Sequence, residues 1–181
     1  MSGATRNPAE RRRRIVRAAC DLIPEVGVGG LTHRLVAARA GVPLGATTYY
    51  FRTLGDLVEA ALEAAAEATD EGLRQWAAEL AAAADVPARL AELTADYLGD
   101  RVRMMTWNEM YAAAGHRPEL RPLARRWSDG LAGVLAEHTG ARGARLAAVF
   151  VDGAVMHALI HDRPLDRDSL AESLTALMAQ P

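Results

Sequence analysis

The chain has 181 residues, 50% hydrophobic but only 5% aromatic, with a formal net charge of −2. That length allows one large or two small domains around a sizeable core. The near-neutral total speaks against a uniformly basic nucleic-acid binder, and the single cysteine, Cys20, excludes an intramolecular disulfide framework and fits a reducing, cytoplasmic location.

Met1 to Pro8 runs into arginines rather than an apolar segment, so no secretion signal is expected there. Pro8 to about Glu25 reads as a first helix, with Ile15, Ala18, Ala19, Leu22 and Ile23 at helical spacing and Arg12, Arg13 and Arg17 elsewhere around it. Pro24 interrupts it, and Gly27, Gly29 and Gly30 end it. Thr32 caps a second helix that runs to Ala40, and Gly41 suits the left-handed position that follows a helix. Pro43 lets a third helix start at once and run to about Phe51. Thr53 and Asp56 form a capping box for a fourth. Further helices are expected near 54–84 (where a break near Asp70 to Gly72 is allowed), 87–99, 101–114, 118–139, 142–161 and 166–179, divided by Gly99, Gly115, Pro118, Gly140 and Pro164. Sustained period-two strand patterns are missing, so the fold class is all-α, with about nine helices. The longest apolar stretch, Ala147 to Ile160, is short and broken by Asp152 and His157, so no membrane span is expected.

The charge is unevenly spread. Residues 1–52 carry nine arginines against three acids, net +6, and residues 53–181 carry twelve arginines against twenty acids, net −8. A basic head on an acidic body suits a chain whose one end meets a polyanion. In that head, a helix, a tight glycine turn and a second helix make a helix-turn-helix, whose second helix enters the major groove of DNA. Leu35, Val36, Val42 and Phe51 are expected to pack it. Thr48, Tyr49 and Tyr50 offer hydroxyls, Leu44 and Ala46 suit thymine methyls, and Gly45 leaves room for the DNA backbone. Thr32, His33 and Arg34 sit at a helix start, where backbone N–H groups favour a phosphate.

The stretch resembles the DNA-binding domain of the TetR family of bacterial regulators. That family has a helix ending in A-x-x-A-G-V, a small residue, x-G-x-L-Y-x-[HY]-F and then x-S-K-[DE]-x-L. Here the matching residues are Ala37-Ala38-Arg39-Ala40-Gly41-Val42, then Gly45, Tyr49, Tyr50 and Phe51, then Thr53-Leu54-Gly55-Asp56-Leu57. Four positions depart from the pattern: Thr47 for a buried leucine, Thr48 for tyrosine, Leu54 for lysine and Pro43 for a capping serine. The resemblance implies a helix-turn-helix DNA-binding domain over 1–53 and a helical effector-binding and dimerisation domain over 54–181, paired through the last two helices. It also implies a ligand-responsive regulator. The expected type is a repressor that binds a near-palindromic double-stranded operator as a homodimer and is released by a small apolar molecule.

The residues of the body add candidates. Met104, Trp107 and Tyr111 fall at i, i+3 and i+7 with Met110 beside them, and Trp76, Trp127, Phe150 and Met156 can complete an adaptable apolar lining. Plain core has the same spacing, and both readings stay open. Asn108 and Glu109 are the polar candidates on that helix, with Glu109 able to select a cation if buried. His157 and His161 have the spacing of two metal ligands but lack a third, so no metal or other cofactor is expected. Ala147, Ala148, Gly153 and Ala154 would let a second copy approach closely. No H-E-x-x-H, P-loop or G-x-S-x-G motif occurs, and an enzyme is not expected. The alternative to a DNA-binding regulator is a helical interaction protein whose basic head takes an acidic protein.

Overall fold

The computed structural model describes residues 7–180. The reading of the start as no secretion signal therefore falls largely outside the described residues, as does Arg6. Among the described residues every regular element is helical: α1 Pro8–Gly30, α2 His33–Ala40, α3 Leu44–Tyr50, α4 Leu54–Ala81, α5 Val86–Leu98, α6 Arg101–His116, α7 Arg121–Leu135, α8 Ala141–His161 and α9 Arg167–Met178, with a 3-10 turn at Pro118–Leu120. The expected all-α class holds. The helices form two compact units, divided after Ala65 within α4.

In the first unit, the Asn7 side chain accepts the Ala9 N–H and Pro8 opens α1, whose buried side is Ile15, Ala18, Ala19, Leu22 and Ile23. Pro24 lacks an N–H, and Gly27 leaves helical geometry at φ 72°, ψ 164°. A glycine there absorbs the break, so the helix resumes and ends at Gly30 rather than near Glu25. Thr32 caps α2 by accepting the Leu35 N–H at 3.2 Å. After α2, Gly41 takes φ 62°, while its N–H bonds Ala38 C=O at 3.2 Å and the Val42 N–H bonds Ala37 C=O at 3.0 Å. This is a Schellman turn, which needs a left-handed residue at Gly41. A Cβ at that position would meet no atom within 4 Å. Gly41→Ala is therefore expected to cost about 1–2 kcal/mol from backbone strain alone. A urea midpoint unchanged from wild type would show that the turn relaxes into another geometry.

Thr47, fully buried on α3, donates its hydroxyl to Leu44 C=O at 2.8 Å, which lets a threonine occupy a position the resemblance assigns to leucine. Phe51 is buried beneath the Arg12 guanidinium, 5.1 Å from the ring centroid. The Thr53–Asp56 box is reciprocal: the Thr53 N–H donates to the Asp56 carboxylate at 3.0 Å, and the Asp56 N–H donates to Thr53 Oγ1 at 3.1 Å. These bonds hold the Asp56 carboxyl below its usual range. Leu57, Val58, Ala61 and Leu62 are buried on the first turns of α4, and Cys20 donates its S–H to Ala61 C=O at 3.2 Å. The first unit therefore runs to Ala65, past the division at residue 53 read from the sequence. Burial pushes the Cys20 thiol up to about 11. One core expectation fails: Leu35 is exposed, because α2 buries Val36 and Ala37, and at about 100° per residue Leu35 turns away from both.

In the second unit, α4 continues without the break allowed near Asp70, since Ala66, Thr69, Leu73, Trp76 and Leu80 keep one buried face. Helix α5 packs on α9, α7 on α8, and α8 on α9, around Leu90, Met110, Leu131, Leu135, Leu170 and Leu174. A Cβ on Gly143 would lie 2.9 Å from Gln180 O, so that glycine lets the end of α9 approach α8. Helix α8 corrects the reading of its apolar stretch as too short. It has 21 residues, its best window has a mean hydropathy of 1.5, and its length and composition would suffice to cross a membrane. It packs here as a core helix, with Ala144, Ala147, Ala148, Val151, Ala154 and Ala158 buried.

Candidate functional site

The first unit presents a short polar helix on a rigid turn. Tyr49 on α3 is 80% exposed and Leu44 is 50% exposed. Gly45 has open space around it, and Ala46 and Tyr50 are half-buried. Tyr49 and Tyr50 meet edge to face at 5.1 Å, a favourable arrangement for two aromatic rings. The Thr48 O–H is donated to Gly45 C=O at 3.3 Å, which leaves its oxygen as an acceptor until the rotamer changes. At the start of α2, the Thr32 oxygen already accepts a backbone N–H, but its own proton remains to donate. Arg34 is exposed and has no ion pair among the described residues, whereas Arg39 is held by Glu25 through bonds of 2.9 and 2.6 Å. Arg13 is paired with Glu10 at 2.7 Å. His33 is half-buried, and its Nδ1 has no partner.

The second unit contains a cleft whose walls include Tyr97, Trp107, Tyr111, Trp127 and Asp152. Its volume is about 20 Å³, room for roughly one water. Asp152 of α8 is the acid in it. The Trp127 Nε1–H donates to Oδ1 at 2.9 Å, and the Tyr111 O–H donates to the same carboxylate at 3.3 and 3.4 Å. Burial raises the Asp152 carboxyl above its usual range, and the bonds from Trp127 and Tyr111 pull the other way. Burial also raises the Tyr97 and Tyr111 hydroxyls, which stay protonated donors at neutral pH. The rings are mutually braced: Tyr97 stacks on Trp127 at 5.1 Å, and Trp107 lies 6.3 Å from Trp127 and 5.9 Å from Tyr111.

The expected lining residues separate. Trp107, Asn108, Tyr111, Trp127 and Met156 border the cleft. Trp76 does not; it stands behind the wall, edge-on to Trp127 at 5.4 Å and to Tyr97 at 6.3 Å. Met104 and Met110 are buried in the core on α6 instead. Phe150 lies off the cleft because it precedes Asp152 by about 200° around α8. Glu109 is half-buried and also outside the lining. The His157 and His161 rings lie 4.3 Å apart, tilted by 34°, and the described residues hold no cluster of three metal-ligating side chains.

Comparison with known proteins decides the family. The profile described as "Tetracyclin repressor-like, C-terminal domain" matches residues 81–180. A solved member of the TetR family from Streptomyces coelicolor A3 is 40% identical, covering 94% of this chain and 99% of that one, with a TM-score of 0.83. The chain belongs to the TetR family. This TetR-family transcriptional regulator is also similar to the multidrug binding protein EbrR in complex with malachite green, at 39% identity, 94% and 99% coverage and a TM-score of 0.81. It is 29% identical to the HTH-type transcriptional regulator BetI of Escherichia coli O157:H7, covering 91% of this chain and 90% of that protein.

Sequence reasoning about this TetR-family chain missed Tyr97 and Asp152 as cleft residues. A signal for Asp152 existed, since it is the lone acid inside the apolar run Ala147 to Ile160. Tyr97 carried none, because only the packing of α5 brings it beside Trp127.

Proposed function

We propose that the chain is a sequence-specific repressor that binds a near-palindromic operator as a homodimer in the bacterial cytoplasm and is released by a small, largely apolar molecule. The observation that carries the DNA reading is the exposed α3 face of Leu44, Thr48 and Tyr49, presented beyond a glycine-locked turn. In such a unit the second helix reads base edges while the start of the first, here Thr32, His33 and Arg34, meets phosphate. The local net charge of +6 supplies the attraction.

For pairing, the support lies on α8. Ala147, Ala148 and Ala154 are buried within the chain, so they are not the contact surface the sequence suggested. Leu146, Val149, Gly153, Met156 and Ile160 lie on the outer face at intervals of three and four, with Ile160 69% exposed. A stripe of that spacing seats a second helix. For the effector, the aromatic cleft is the support, along with the similarity to EbrR, which has been solved with malachite green, proflavin and ethidium. Release follows if the effector prefers a conformer whose two α3 helices no longer match the half-sites.

Selection of bound sequences from a random duplex library tests this reading. The expected product is an inverted repeat with half-sites roughly 34 Å apart, bound far more tightly than random duplex at two salt concentrations. No recovered motif, with binding that vanishes as salt rises, would leave only an electrostatic patch and turn the search to acidic protein partners.

A further inference from the structure

The cleft holds a carboxylate that its own hydrogen bonds do not require. Trp127 and Tyr111 both donate to Asp152, but an asparagine oxygen would accept the Trp127 N–H equally well without placing a charge out of water. No arginine or histidine forms an ion pair with Asp152 among the described residues. The nearby cation, Arg103, lies over the Tyr97 ring, 5.0 Å from its centroid, rather than on the carboxylate. The Asp152 carboxylate therefore has only neutral donors and no ion-pair partner in the cleft. The cleft walls reinforce its negative sign, since the faces of Tyr97, Trp107, Tyr111 and Trp127 are electron-rich. Carboxylate and ring faces together favour a positive charge on an apolar body. Tyr97 and Trp127 are stacked face to face at 17°, so the pair is held rigidly parallel beside the carboxylate. Met156, which borders the cleft and also lies on the outer stripe proposed for pairing, is an unbranched side chain able to repack around a guest.

We propose that Asp152 is the counter-ion of the effector, and that the effector class is a flat aromatic organic cation seated against Trp107, Trp127 and Tyr97. The proposal rests on the cleft being the effector site, and its test separates the two. The probes are N-methylacridinium, whose charge is fixed, and acridine, its neutral analogue above neutral pH, titrated into the full chain by tryptophan quenching and calorimetry. Wild type is expected to bind the cation at least about tenfold more tightly than acridine. Asp152→Asn should abolish most of that preference while changing acridine affinity by less than about threefold, because the Trp127 bond survives. Asp152→Glu keeps the charge and should keep the preference, which decides the matter should the asparagine variant not fold. Equal binding of both probes by wild type, or a preference that survives in Asp152→Asn, overturns the counter-ion role and leaves the cleft as an effector site. Binding of neither probe overturns both.

Discussion

Tyr49→Ala is expected to weaken operator binding by about tenfold to a hundredfold, as a hydrogen bond to a charged group contributes about 1.5–3 kcal/mol. Tyr49 is 80% exposed and touches only the Tyr50 ring among the aromatic groups, so its loss removes a contact without opening the core. Thermal unfolding should therefore stay near wild type, within about 0.5 kcal/mol. Salt dependence adds a second criterion. A tyrosine hydroxyl releases no counter-ion, so the slope of log affinity against log salt should not change. Arg34→Ala should lower that slope by about one. Both are measurable by fluorescence anisotropy on the selected operator. Wild-type affinity in both variants would mean that α3 and the start of α2 do not face DNA.

Trp127→Ala should have the largest effect on stability, about 3–5 kcal/mol, the range for deleting a buried tryptophan side chain. The residue is only 3% exposed. Its ring braces Trp76, Tyr97 and Trp107, and its N–H holds the half-buried Asp152 carboxylate. Removing it opens a cavity and takes a donor from a desolvated acid at the same time. Against a total of about 5–15 kcal/mol, the variant would be marginal, with a midpoint lowered by about 10 °C or more. Trp127→Phe, which keeps most of the ring but not the N–H, should lose clearly less. A loss below about 1 kcal/mol in the alanine variant would show that the cluster collapses into the space and that the cleft walls are soft.

The ends of the helices were legible because they are set by local chemistry. Thr32, Gly41, Pro43 and the Thr53–Asp56 box each act on backbone groups a few residues away, and a sequence displays such pairs side by side. The exposed hydroxyl and aromatic face of α3 was legible for the same reason. Leu35 was misread because an eight-residue helix is too short for its apolar spacing to identify a single buried stripe. The cleft was half legible. Trp107, Asn108 and Tyr111 share α6, but their partners arrive from α5, α7 and α8 through packing that no local pattern encodes. Asp152, rather than Glu109, supplies the acid because burial of a charge depends on neighbouring helices and not on its own.

The tightness of the cleft separates two properties of recognition that are commonly measured as one. At about 20 Å³ it admits nothing the size of an aromatic dye until side chains part. Apparent affinity then equals intrinsic affinity multiplied by the fraction of molecules already parted. That fraction is common to every guest needing the same opening, and it cancels from any ratio between two of them. Residues such as Met156 at the rim thus govern how strongly all such compounds are felt, and Asp152 and the rings govern which of them is preferred. A regulator built this way can have its sensitivity retuned by changes at the rim while its discrimination stays as it was.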